Sequence, residues 1–441
     1  MALVPTAYWA YQVITGRDAD TVITRTEQRL VQLELVNKKL LDLLEARERT
    51  QPGGTGPGAA ALDEAIGRDL KSGAKDLLDQ GAEGEAAIER LLKDGKTDQA
   101  EALLRRLAEK DAAEGAQANK RAAQRFRLIG AYAFLNNTQK ALDAYARAAE
   151  LDPEDWEGWW RLGQLQLRYG DLKAARASFE KLLALRNRID DPRIEYYART
   201  ALGETDEAAG NREPALDQYE QATVLIKALA NRDPNNAQWQ RDLSVSYDRI
   251  GDIRAARGDR DGALKAYEDG LTIAKALANR DPNNAEWQRD LSVSYDRVGD
   301  IRAARGDRDG ALKAYEDGLT IRKALANRDP NNAEWQRDLS VSYTKIGDIR
   351  AARGDRDGAL KAYEDSLAIR KALANRDPNN AEGQTDLVVS AYKIASLGGP
   401  DACRHAREGL AIAKRLDAEG RLDKRQPYVE VMEALVAARC G

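Results

Sequence analysis

The chain has 441 residues, enough for several ordinary domains or for one long array of repeats. Charged residues make up 32% of it, yet 69 Lys and Arg against 73 Asp and Glu leave a formal charge of −4, which excludes a global attraction to nucleic acid or anionic lipid. Only 3 Phe in a chain rich in Ala, Leu, Arg, Lys and Glu predict helix rather than sheet, and 2 cysteines are too few for a disulfide framework, which fits a reducing compartment.

No apolar run reaches the roughly 20 residues that cross a bilayer. The segment 1–17 comes closest, with Ala2 to Ile14, but it lacks the basic start and the cleavage site of a signal peptide. Tyr8, Trp9 and Tyr11 favour a membrane interface, so this segment either docks on its own protein or is a membrane-proximal foot. Residues 18–50 predict one long helix. Ile23, Leu30, Asn37 and Leu44 fall seven apart, and Leu33 and Leu40 interleave at the other core position. That is a short heptad seam, read either as a homo-oligomeric coiled coil or as one amphipathic helix lying on the rest. Residues 51–61 are a Gly/Pro linker, and 62–115 predict further helices containing half of a weak repeat.

Periodicity then takes over. Shorter units fill 116–230, and from 231 to 378 a block recurs every 48 residues, with Pro234, Pro282, Pro330 and Pro378 in register. Block 231–278 differs from block 279–326 only at Gln238/Glu286, Ile250/Val298 and Ala274/Arg322. A fixed period of this size marks a solenoid whose units bury their apolar faces on one another. Each long unit predicts two helices. Trp239, Leu243, Tyr247, Ile250 and Ile253 make one stripe, Gly258 supplies a left-handed stop, and Asp259 caps a second helix that ends before Pro282. Residues 379–441 predict a degenerate last unit and a capping helix.

These residues resemble the tetratricopeptide repeat family. Trp159, Leu162 and Gly163 fit its W-x2-L-G, and Ala175 and Phe179 fit its A-x3-F, although Gln166 stands where the family often has Tyr. Tyr247, Gly251, Ala263 and Tyr267 repeat the theme in the long units, where each helix is seven residues longer than in the family. The long units are similar to extended repeats of bacterial members and, more loosely, to kinesin light chains. The resemblance implies an all-α solenoid, a right-handed superhelix of helical hairpins, and a non-enzymatic scaffold that binds a protein or peptide. It also implies a concave wall made by the first helices, faced by the residues three before and one after the small Gly: Thr200, Glu204, Asp248, Asp252, Asp296, Asp300, Thr344 and Asp348. Members that grip a C-terminal carboxylate use Lys, Arg and Asn near these places, so Asp here argues against that activity. The wall either is neutralised by Arg249 and Arg254 on the same helix or forms an acidic groove for a basic segment.

No catalytic residue, cofactor or metal site is expected. His405 is the only histidine, Cys403 beside it does not complete a zinc site, and the Gly-containing turns lack phosphate-loop spacing. The alternative to a scaffold is a structural protein whose units polymerise, perhaps on a membrane. The expected location is cytoplasmic, with membrane contact through 1–17.

Overall fold

The computed structural model describes residues 62, 65–68, 88, 91, 97–112, 116–134, 137–422 and 426–441. The segments 1–17, 18–50 and 51–61 lie outside the described residues, and with them Ile23, Leu30, Leu33, Asn37, Leu40 and Leu44 of the predicted seam. The helices are α1 Thr97–Ala112, α2 Ala116–Phe134, α3 Thr138–Leu151, α4 Trp156–Arg168, α5 Leu172–Ala184, α6 Pro192–Ala208, α7 Arg212–Arg232, α8 Ala237–Ala256 and α9 Arg260–Arg280. They continue with α10 Ala285–Ala304, α11 Arg308–Arg328, α12 Ala333–Ala352, α13 Arg356–Arg376, α14 Ala381–Leu397, α15 Ala402–Ala418 and α16 Tyr428–Cys440. Among the described residues there is no strand, and no helix is long and apolar enough to cross a membrane.

Local chemistry sets these boundaries. After each Asp-Pro the chain turns, and an Asn caps the next helix: Asn236, Asn284 and Asn332 accept from the backbone N–H of Trp239, Trp287 and Trp335 at 3.0–3.1 Å. At the other end Gly258 takes φ +84°, which a Cβ would disfavour, and Asp259 then accepts from Gly262 N–H at 2.9 Å to start α9. The same pair of devices recurs at Gly306–Asp307 and Gly354–Asp355.

The contacts divide the chain within α7 into two units, residues 1–225 and 226–441. In the first, α1 packs on α2, α2 on α3, α4 on α5, and α6 on the start of α7. Its core holds Ile129, Phe134, Tyr145, Leu165, Phe179 and Leu182. In the second, α8/α9, α10/α11, α12/α13 and α14/α15 are consecutive antiparallel pairs, and α16 packs on α15. Inside each long pair a Gly lets an aromatic ring lie on the first helix. A Cβ at Gly251 would sit 2.4 Å from Tyr267 Cε1. The Tyr267 ring also joins an apolar cluster with Leu291, Val298 and Ile301 of the next unit, and the Arg297 guanidinium of that unit lies 5.8 Å from the ring centroid.

The joints between long units are polar. Arg241 pairs with Glu286 and Asp290 of the next unit, both at 2.6 Å, and Arg289 repeats this with Glu334 at 2.9 Å and Asp338 at 2.6 Å. Arg302 reaches back to Glu268 and Arg305 to Asp261, and Arg350 and Arg353 do the same to Glu316 and Asp309. Gln288 and Gln336 donate to the free carbonyls of Ala278 and Ala326. Between these ladders lies a thin apolar core of Ala, Leu, Ile and Tyr.

Cys403 and Cys440, too few for a framework, nevertheless form one disulfide. They are 37 residues apart in sequence, but the packing of α16 on α15 brings their Cα atoms to 4.9 Å.

Candidate functional site

The residues that the small-Gly rule places on the wall divide into two kinds. In the long units those one after the Gly are the more open: the side chains of Asp252, Asp300 and Asp348 are 33%, 54% and 44% exposed. Those three before it are sunk in the seam between the two helices of a pair, with Asp248 at 13% and Asp296 at 10%.

Each open carboxylate is held from both sides. The phenol of the second helix donates to it, Tyr267 to Asp252 and Tyr315 to Asp300 at 2.7 Å, and Tyr363 to Asp348 at 2.6 Å. A cation from the next unit completes the set: Arg297 on Asp252, Lys345 on Asp300 at 2.6 Å, and Lys393 on Asp348 at 2.7 Å. These cations come 45 residues further along the chain. At the first of these joints a pocket of about 480 Å³ opens, lined by Asp252, Tyr267, Asp296, Arg297, Asp300 and Lys345 over an apolar floor that includes Ile301.

The buried members form a natural substitution series. Asp296 is paired with Arg322 at 2.8 Å, and that guanidinium also donates to Ser292 and Ser342. One unit earlier the arginine is Ala274, and Asp248 pairs instead with Arg297 of the next unit, at 3.4 Å. One unit later the acid is Thr344, bonded to Ser366 at 3.0 Å, and the buried Arg370 donates to Ser340, Ser390 and the Asp386 carbonyl. Asp248 Oδ1 is buried with no hydrogen-bond partner. Burial pushes its carboxyl up to about 7, assisted by Asp252 and opposed by Arg297. Burial also raises Asp296, against the pull of Arg322.

Between its unfolded value of 3.8 and about 7, native Asp248 binds more protons than the unfolded chain. Its contribution is thus complete below pH 4 and is lost as pH rises to 7. Asp248→Asn is expected to raise the thermal midpoint at pH 8, by an amount worth roughly 1–3 kcal/mol, and to change it little at pH 5. Equal shifts at the two pH values in a calorimetric scan would mean that this carboxyl is ionised throughout.

In the first unit Thr200 is half-buried and Glu204 is buried, where it accepts from Gln164 at 3.0 Å. Gln164 and Trp160 hold the same two offsets from Gly163, and sequence reasoning missed them although the rule applied at Gly203 would have found both. Tyr197 stacks on Trp156 at 5.5 Å and meets Trp160 edge-on at 6.3 Å, so this stretch is aromatic where the later one is charged.

His405 is buried, and burial with Arg404 nearby lowers its pKa, so its ring is neutral at pH 7. Among the described residues no group of three or more His, Cys, Asp or Glu is placed to hold a metal ion.

Two tetratricopeptide repeat models match the chain, over residues 157–188 and 339–380. No curated protein matches it. Among solved structures it is similar to the apo form of RapI, at 10% identity and a TM-score of 0.51 over 82% of this chain and 97% of that one. It is also similar to PilF of Pseudomonas aeruginosa, at 16% identity and 0.37 over 60% and 96%. A third similar structure is YrrB, a TPR protein with an unusual peptide-binding site, at 20% and 0.30 over 50% and 89%. The RapI likeness speaks for the fold alone.

Proposed function

We propose that this chain, a tetratricopeptide-repeat protein, works as a protein-interaction scaffold that receives a basic, extended or helical segment along the wall of its first helices. The observation that carries the reading is the constant recurrence of an open carboxylate, Asp252, Asp300 and Asp348, each oriented by a phenol. Their present cations are not fixed partners. An exposed ion pair contributes only about 0–1 kcal/mol, so an incoming Arg or Lys can replace Lys345 or Lys393 at small cost. Several such exchanges in one concave surface reinforce each other, because the walls concentrate the field.

Changing Asp252, Asp300 and Asp348 together to Asn is expected to weaken a fluorescent arginine-rich peptide by roughly tenfold or more, while the thermal midpoint moves little. Affinity for the unaltered chain should fall as salt rises. Unchanged binding in the triple variant would place the partner elsewhere, and an unfolded variant would show that these aspartates are structural. The proposal extends to a cytoplasmic location, to self-association through Ile23, Leu30, Leu33, Asn37, Leu40 and Leu44, and to membrane contact through 1–17. Sedimentation with and without anionic vesicles reads the last two.

A further inference from the structure

Helix α16 takes the place on α14/α15 that the next first helix takes on every earlier long pair, yet it is fastened differently. A full joint carries several ion pairs and a carbonyl-capping Gln. The face under α16 has instead one fully buried residue, Met432, set against Val388, Ala413 and Gly409, where a Cβ would come within 2.5 Å of Met432 Cε. Around it are a solvent-exposed pair, Lys414 to Glu433 at 2.6 Å, and one bond from Arg439 to the Ser396 carbonyl at 2.7 Å. The remaining fastener is covalent. The disulfide ties Cys403 in the first turn of α15 to Cys440 in the last turn of α16, and both residues are only partly buried, so a thiolate can reach them.

We infer that α16 is a redox-releasable cap on the last helix pair. The co-reactant is a dithiol reductant. One of its thiolates attacks Cys403 or Cys440 and forms a mixed disulfide, expelling the other cysteine as a thiolate. Its second thiolate then displaces the first sulfur. Two electrons and two protons pass to the protein, which gains two thiols, and the reductant leaves as its own disulfide. In a cytoplasmic setting a solitary accessible disulfide belongs to the reversible, sensing class. Breaking it opens a 37-residue loop and leaves α16 held by Met432, by the half-buried Tyr428, Val429 and Leu435, and by exposed polar contacts, so the apolar face of Val388, Gly409 and Ala413 is uncovered whenever the helix detaches.

Hydrogen exchange on the full chain tests this. Reduction by dithiothreitol is expected to cut the protection of amides 429–440 on the order of 10²–10³-fold, the scale of the loop-closure effect, while α8 to α13 keep theirs. Cys440→Ser should show the same fast exchange without reductant and should not respond to it. If amides 429–440 stay equally protected after complete reduction, the cap is held by packing and the inference fails. If protection falls in α8 to α13 by the same factor, the bond supports the whole unit rather than a cap, and the inference fails as well.

Discussion

Gly299→Ala is expected to lower the thermal midpoint of the second unit by about 3–10 °C. The methyl carbon would stand 2.4 Å from Tyr315 Cε1 and 2.6 Å from Cδ1, well inside contact distance. The ring cannot swing aside cheaply, because it is buried and its phenol is committed to Asp300 at 2.7 Å. Overpacking of this kind costs roughly 1–3 kcal/mol. Gly306→Ala is the control. Gly306 has φ +86° and open space around it, so its cost is conformational only, about 1–2 kcal/mol. Calorimetry on the two variants, with circular dichroism to confirm helix content, separates the mechanisms. If Gly299→Ala is the milder of the two, the ring contact is not what fixes the residue.

Arg322→Ala is expected to cost about 3–5 kcal/mol, the usual result of stripping one partner from a buried ion pair. It leaves Asp296, Ser292 and Ser342 around a void. The loss should be larger at pH 8 than at pH 5, because a carboxyl already raised by burial escapes part of the penalty by taking a proton. The converse change, Thr344→Asp, gives the buried Arg370 the acid that Arg322 has, and should stabilise by roughly 1–3 kcal/mol. Chemical denaturation of both variants decides the matter. A neutral Arg322→Ala would show that the guanidinium contributes no more than it costs to bury.

Much of this architecture was legible in the sequence, and the reason is that its signals are local. Asn236, Gly258 and Asp259 act within four residues of themselves, so caps and stops could be placed before any contact was known. The Gly251 to Tyr267 contact was legible only as a motif. The site was less readable. Whether Asp252 meets Arg254 on its own helix or Arg297 on the next unit depends on how pairs stack, and stacking leaves no mark in a single period. The burial of Asp248 was hidden for the same reason, since the wall rule treats both flanking positions alike. Cys403 and Cys440 carried no pairing signal, because two cysteines in helices 37 residues apart meet only if α16 packs on α15.

The joints have one more property, which concerns how long the array has to be. The ion-pair partners along the edges of a joint are drawn from the same columns of the repeat, so these contacts read the same after a translation by one period. Removing residues 279–326 would set Arg241 against Asp338 and Glu334, Asp252 against Lys345, Glu268 against Arg350 and Asp261 against Arg353. Each of these residues already faces an identical or like-charged counterpart in the intact chain. The fold therefore contains no register that counts its own modules. Whole long modules can be subtracted or added with these ion pairs kept, so length becomes a quantity the array can vary one step at a time, each step adding one more repeat and one more interface to its stability.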